Sequence, residues 1–598
     1  MDMRWNLDKL YTSFESKEYR DDLKKLDNLI KDFTGWSDNN LNSSENPIYK
    51  TETYLNKLIE LTNLFTKLMS FASLTSNVDA KNEHALKYMD LLHMKYSETA
   101  KAHSQFKKFI GSIDNLDELI ESSKLLKEHS FYLNEIKSST KYMLSQEEEI
   151  LISKMKNTGS KAWAKLQKIV TSTLLVDIEL DREMKQLPLP VIRNMAYSPD
   201  KLLRKKAYEA ELKSYEKIEE TSAACLNGIK GEVITISNLR GYKSPLEETL
   251  IESRMDEGIL NAMLRAIKES LPVFHRYFMK KAELLGHKNG LPFYDLFAPV
   301  GKMNKTFSYE EARKYIVDNF KTFSDKLASF ADKAFENSWI DAEPREGKSG
   351  GAFCSNLHPI KESRILANFN GSFSNVITLA HELGHGYHGS CLMDESILNS
   401  RYPMPIAETA SIFCETIVLN AALKEASEEE QLSILESSLQ DAGQVIVDIY
   451  SRFLFEDELF KRRKDHSLSV KELKDMMIEA QKTAYGKGLD HEYLHPYMWI
   501  NKSHYYSAER NYYNFPYAFG QLFSKGLYVK YLEDGKSFVK KYDEFLRETG
   551  KNSIDHVAKM MDIDVHSVDF FRNSLKLIEK DIEKFIELAD RVINKNSI

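Results

Sequence analysis

Apolar residues recur at helical spacing through most of this chain, and that period leaves few fold classes open. In "YLNKLIELTNLFTKLMSF", Leu55, Leu58, Leu61, Phe65 and Leu68 fall three or four positions apart, which stacks them on one face of a helix. Helix-start signals accompany the period. Ser198 and Pro199 open "SPDKLLRKKAYEAELKSYEKIEE" as an N-cap and a first helical residue. Ser308 precedes Glu311 by three positions, the pattern of a capping box. Strand signals are few. "LLVDIELD" (Leu174 to Asp181) alternates in part, and "RILANFNG" (Arg364 to Gly371) is a short apolar run closed by Asn and Gly. The expected class is therefore mostly α with a small β component. The proline-rich stretch "KQLPLPVIRNMAYSPD" breaks the helical pattern. It sets the expected domains at 1–195, helical, and 196–598.

Charge and cysteine usage exclude several functions. A net charge of -8 over 598 residues argues against binding a phosphate backbone. The one basic run, "KRRKDH" from Lys461 to His466, reads as a solvated helix end. Four cysteines, Cys225, Cys354, Cys391 and Cys414, form no CxxC pair, so free thiols in a reducing compartment are expected. No leader-like start and no run of 18 apolar residues are visible. A cytoplasmic chain with neither nucleic-acid nor membrane partners is the expectation.

The segment "LAHELGHGYHG", Leu379 to Gly389, carries the chemistry. On a helix, positions i and i+4 share a face about 6 Å apart along the axis. His381 and His385 can aim two imidazoles at one ion. Glu382 stands beside them, where an HExxH helix keeps its general base against the metal-bound water. His388 lies about 10 Å along the axis from His381, which suits a wall or a supporting hydrogen bond rather than a ligand. A surface helix bearing the pattern by chance is the competing reading. The apolar flank "FSNVITLA" weighs against it, because buried polar groups need partners. The HExxHxxGxxH pattern fails here, with His388 and Cys391 at its Gly and last His positions.

A catalytic zinc takes three protein ligands and leaves one position open. The next apolar segment, "MPIAETASIFCETIVLNAAL", has only two charges, Glu408 and Glu415. Seven residues apart on one helix, they share a face. Glu408 is assigned as third ligand and Glu415 as the acceptor for an imidazole N–H; ordinary buried salt bridges are the alternative. Asp394 and Glu395 are rivals, but "MDESILNSRYP" reads as a solvated loop. Zinc, one ion per chain, is the expected metal, although His2Glu sites also accept cobalt or manganese. The "GKSGG" run, Gly347 to Gly351, matches the GxSxG elbow, but polar "DAEPRE" stands where a buried strand is needed.

These motifs resemble oligoendopeptidase F, within the thimet-oligopeptidase family of zinc metallopeptidases. "TLAHELGHGYH", "AETASIFCE" and "HPYMWINKSHYYSAERNYYNFPYAFGQLF" carry the likeness. "WIDAEPREGKSGGAFCSN", "ILANFNGSFSNVITLAHELGH" and the N-terminal "WNLDKLYTSFESKEY" extend it. The resemblance implies a large helical fold around a deep substrate channel, with zinc at its floor. It makes His381, His385 and Glu408 the ligands and Glu382 the catalytic glutamate. It places His504, Tyr513 and Tyr517 against the substrate carbonyl. This chain carries extra residues between His504 and the tyrosines, Gly520 replaces a tyrosine of the thimet branch, and Tyr512 and Tyr513 are not separated.

The expected reaction is hydrolysis of internal bonds in oligopeptides, with Glu382 shuttling the proton and zinc with His504, Tyr513 or Tyr517 stabilising the oxyanion. "RILANFNG" is expected to form a strand beside the HExxH helix, either a purely structural edge strand or one pairing with an extended peptide, and "SGGAF" (Ser349 to Phe353) a flexible flap. Two other readings stay open: an exopeptidase of the same family, and a zinc-containing peptide-binding protein without catalysis.

Overall fold

The computed structural model describes residues 2–301 and 305–596. Helices dominate, and the strands described are β1 (Leu175–Leu180), β2 (Glu183–Pro188), β3 (Ile340–Asp341), β4 (Phe353–Leu357) and β5 (Glu362–Leu366). Contacts divide the chain into two discontinuous compact units. The first joins Met1–Met143, Lys305–Ala421 and Lys530–Asp562; the second joins Leu144–Asn304, Ala422–Val529 and Ile563–Ile598.

In the first unit the predicted stripe forms. The helix Pro47–Val78 buries Leu55, Leu58, Leu61 and Leu68 in an apolar core shared with the Lys17–Asn40 helix. Ser308 and Glu311 make the capping box at the start of Tyr309–Phe323. The sheet runs β3-β5-β4, with β5 parallel to β3 and antiparallel to β4. β5, the "RILANFNG" strand, is therefore central rather than an edge. Its Arg364 guanidinium also donates to the Asn6 carbonyl at 2.7 Å, so the N-terminal segment covers it as well. Among the described residues the strand paired on one side only, next to the HExxH helix, is β4.

The helical reading of "MPIAETASIFCETIVLNAAL" needs correction. One turn, Met404–Ala407, ends at Glu408, and a second helix starts at Thr409 and runs to Glu425. Glu408 has φ -83 and ψ 0, so it sits at a joint rather than in a regular turn shared with Glu415. By length and apolar content the stretch Met404–Glu425 could cross a membrane, but 56% of its window is buried inside the fold.

In the second unit, β1 forms where "LLVDIELD" alternates, with Val176 and Ile178 inward. Its partner β2 lies in the stretch read as a break. The polar "EMKQLP" gives no apolar alternation, and its two-residue turn uses Asp181 (φ 54) and Arg182 (φ 67) instead of glycine, so neither hairpin signal is present. The N-cap of the following helix is Asp200, not Ser198. Its carboxylate accepts from the Leu202 and Leu203 amides, while Ser198 Oγ accepts from the Asp200 amide. The "KRRKDH" run begins in the last turn of Ile449–Arg463, with Lys461 and Arg462 each paired four residues back.

Candidate metal centre

The HExxH helix, Phe373–Leu392, starts at Ser372, whose hydroxyl accepts from the Asn375 amide. Two glycines of the motif set its neighbours. A Cβ on Gly384 would lie 2.6 Å from Ala410 O and from Ser411 Cα. Only glycine lets the backbone after Glu408 come this close. A Cβ on Gly389 would lie 2.1 Å from the Asn356 side chain on β4. Asn356 fills that space, accepts from Ser363 Oγ at 2.8 Å and donates to the His385 carbonyl at 3.3 Å.

These approaches bring three ligand atoms together. Nε2 of His381 and Nε2 of His385 are 3.1 Å apart. Glu408 Oε2 lies 3.4 Å from the first and 3.6 Å from the second. Four ligands arranged tetrahedrally ~2.0–2.1 Å from a zinc ion stand about 3.3–3.4 Å from one another. The observed triangle is close to one face of that tetrahedron, so the residues fit a small divalent cation of His2Glu preference.

The surrounding groups orient the donors. His381 Nδ1–H donates to Glu415 Oε1, which keeps a proton on Nδ1 and leaves Nε2 as the nitrogen turned to the ligand triangle. Ser411 Oγ donates to Glu408 Oε2 at 2.9 Å. Burial works against a charge on His381, yet the Glu415 carboxylate outweighs it and raises the imidazole to about 9. His385, lowered by burial and by its neighbour His381, sits at about 4. Burial lifts Glu382 to about 7 against the pull of His381. Glu382 is 5% exposed, and its Oε2 has no hydrogen-bond partner among the described residues.

The other candidates take different places. His388 is buried, donates from Nε2 to Thr549 Oγ1 at 2.8 Å and stacks on Tyr402 with centroids 3.9 Å apart; it does not join the triangle. Asp394 pairs with Lys361 in solvent. Glu395, read as solvated, is instead largely covered and paired with Lys551 at 2.8 Å. Ser349 Oγ meets Asn77 Oδ1 at 3.1 Å. Gly350 and Gly351 have nothing close to their Cβ positions.

Within the second unit, His504, Tyr513 and Tyr517 form a cluster of their own. The His504 and Tyr513 rings are 4.6 Å apart, and Tyr517 Oη donates to Tyr513 Oη at 3.3 Å. Tyr512 is separated from them by its backbone. Its φ of +51 is unusual for a bulky residue, and its buried side chain donates to Asp457 Oδ1 at 3.2 Å. Sequence reasoning missed Gly384, Gly389, Asn356 and Ser411. Their only sequence signal is small or polar residues inside otherwise apolar elements.

Residues 194–577 match the sequence profile of peptidase family M3, and residues 112–174 that of oligopeptidase F. The chain belongs to peptidase family M3. As an M3 member it is a metallopeptidase of the zinc class, and its ligand triangle stands where that chemistry needs a metal. It is 25% identical over 599 residues to oligopeptidase PepF of Bacillus subtilis (strain 168), covering 98% of this chain and 87% of the relative. It is 24% identical over 607 residues to an oligoendopeptidase F homolog of Lactococcus lactis subsp. lactis, covering 98% of each. The M3 fold is also that of oligoendopeptidase F from Enterococcus faecium, with a TM-score of 0.71 at 18% identity over 96% of this chain and 99% of that one.

Proposed function

We propose that this M3 peptidase is a zinc-dependent endopeptidase that hydrolyses internal bonds of oligopeptides. The observation that carries the reading is the His381–His385–Glu408 triangle beside a buried carboxylate oxygen of Glu382 without a partner. The relatives named oligoendopeptidase F support the endo mode and the oligopeptide substrates. His381, His385 and Glu408 hold one zinc ion per chain. Bound there, zinc supplies Lewis acidity toward water and a peptide carbonyl. Glu382 takes the proton of the attacking water and passes it to the leaving amine. On the family resemblance, His504, Tyr513 and Tyr517 donate to the negative charge that develops on the carbonyl oxygen. We keep 1–195 and 196–598 as the N-terminal and catalytic parts of the chain. The four cysteines are all free thiols, which matches a reducing cytoplasm.

The test pairs metal analysis with cleavage of an internally quenched, end-blocked peptide before and after chelation. One equivalent of zinc, loss of cleavage on chelation and its return with zinc are expected. Glu382→Gln keeps the metal and loses about 10²–10⁴-fold in kcat. Unchanged cleavage by Glu382→Gln would remove the assigned proton carrier. Product masses showing only single residues or dipeptides released from free ends would replace the endo reading with an exopeptidase.

A further inference from the structure

The second unit holds a cavity of about 470 Å³ that the proteolytic reading does not use. Lys502 lines it, and among the described residues its ammonium has neither a hydrogen bond nor an ion pair. The acids around it are already engaged. Asp448 is paired with Arg452. Glu211 accepts from Tyr215 Oη at 2.7 Å and lies 3.3 Å from Arg193 Nε. Asp441, the remaining acid of the lining, is exposed to solvent. Around Lys502 three cations thus face two carboxylates, and one positive charge is left without a counter-ion. Burial and the neighbouring Arg452 guanidinium push the Lys502 amine down to about 8, the direction expected of an ammonium lacking an anion.

A second observation comes from His495, which also lines the cavity and is 2% exposed. Neither of its ring nitrogens has a hydrogen-bond partner among the described residues, and Nε2 stands 3.6 Å from Glu211 Oε1. Asn501 Oδ1, in the same lining, is buried without a partner as well. Buried polar groups are ordinarily paired, so His495 Nδ1 and Asn501 Oδ1, without partners in the lining that Lys502 shares, mark a place for a polar ligand. The wall opposite in chemistry is aromatic, from Phe293 and Phe297. A π-helical turn, Gly443–Asp448, contributes Gln444 and Asp448 to the lining; such turns recur at functional sites.

We propose that this cavity binds an organic carboxylate, with Lys502 as its charge partner, His495 and Asn501 as further polar partners, and the aromatic wall against its apolar body. A single lysine suits a monoanion. Phosphate would bring a second negative charge toward Glu211 and Asp448 and has no use for the phenyl rings. The same chemistry is offered by a free small carboxylate and by the C-terminus of a peptide. Only the second source rests on the proteolytic reading.

Full-length Glu382→Gln protein separates binding from cleavage. Calorimetry with N-acetyl-phenylalanine, its amide and inorganic phosphate reads the site directly. The free acid is expected to bind at least about tenfold more tightly than the amide, with phosphate weaker than the acid. Adding Lys502→Met removes the preference for the acid, and Lys502→Arg keeps part of it. Removing a half-buried charge that lacks a partner is not expected to lower the melting temperature of Lys502→Met, so a folded variant is available. A tripeptide with a free terminus that binds more tightly than N-acetyl-phenylalanine identifies a peptide end as the source; the reverse order identifies a small carboxylate. Equal binding of acid and amide, no binding of the acid at millimolar concentration, or an unchanged preference in Lys502→Met overturns the proposal.

Discussion

Two clusters of polar and charged side chains, one in each unit, both contain histidine and glutamate and end differently. In the second unit, Arg204 Nε donates to Asp295 Oδ1 at 2.7 Å, His287 Nε2 meets Asp295 Oδ2 at 2.6 Å, and Arg204 Nη1 donates to the Ser198 carbonyl at 2.7 Å. Beside it, Lys281 gives its ammonium to the Leu296 carbonyl, Glu436 and Gln440. Each of the three protons of that ammonium can point to an acceptor. In the first unit, two imidazole Nε2 atoms and a carboxylate oxygen face one another, and Glu382 Oε2 has no hydrogen-bond partner among the described residues. A closed network holds its own chain in place. An open one of the same polarity is shaped around something the chain does not supply.

Removing one member from each cluster tests this contrast, and gives the largest effects. Lys281→Met leaves Glu436 as a buried acid without its cation, which costs about 3–5 kcal/mol of unfolding free energy. Chemical denaturation read by circular dichroism measures it, and the zinc content of the folded fraction is expected to stay at one equivalent. Glu408→Ala is expected to do the opposite, emptying the metal site on purification while unfolding at nearly the denaturant midpoint of the metal-free wild type. A stable Lys281→Met protein, or a Glu408→Ala protein that keeps zinc, would erase the distinction.

The next effect concerns the carboxylate that links the open cluster to the helix behind it. Glu415 raises His381 to about 9, so below that pH zinc must displace a proton from the imidazole. Zinc affinity is expected to fall about tenfold per unit as pH drops from 9 toward 7. Glu415→Gln lowers the His381 value toward an ordinary imidazole, which removes proton competition in this range and flattens the slope. It also removes the partner that orients the ring and makes it more basic, which costs about 10–100-fold in metal affinity. Competition with a chelator across pH 6–9 separates the two consequences. A variant with the wild-type slope would show that Glu415 does not control the His381 proton.

The open cluster was more legible in the sequence than the closed one, for a physical reason. His381, Glu382 and His385 are local, and one helical turn fixes their relation whatever surrounds them. Glu408 and Glu415 stood out as the only charges in an apolar segment. Their assumed common helix was nevertheless broken at Glu408, because Gly384 admits the backbone at Ala410 and Ser411 from across the gap, a tertiary demand that helical periodicity does not encode. The same limit hid the closed cluster, whose Lys281 and Glu436 are 155 residues apart. It hid β2, whose residues pair with β1 without any apolar alternation. It also placed β5 at an edge, since nothing in "RILANFNG" records that β3 and β4 flank it. The separation of Tyr512 from Tyr513 rests on one left-handed backbone angle at a residue where sequence gives no reason to expect it.

The smallest expected effect probes how finely the open cluster is tuned. Ser411 is buried, and its single hydroxyl proton is shared between the Glu408 carbonyl at 3.0 Å and Oε2 at 2.9 Å. Oε2 is the oxygen turned toward the imidazoles, so the hydroxyl holds the ligand in aim but also occupies one of its lone pairs. A carboxylate oxygen has a second lone pair, and one shared hydrogen bond leaves it available. Orientation should therefore outweigh competition. Ser411→Ala is expected to weaken zinc by about 1 kcal/mol, roughly fivefold, within the ordinary net value of a hydrogen bond. Ser411→Thr, which keeps the hydroxyl, should recover most of that loss. Tighter zinc binding by Ser411→Ala in the same chelator competition would reverse the sign. It would mean that the serine restrains the glutamate from the metal, and that the open cluster trades some affinity for an ion it can also release.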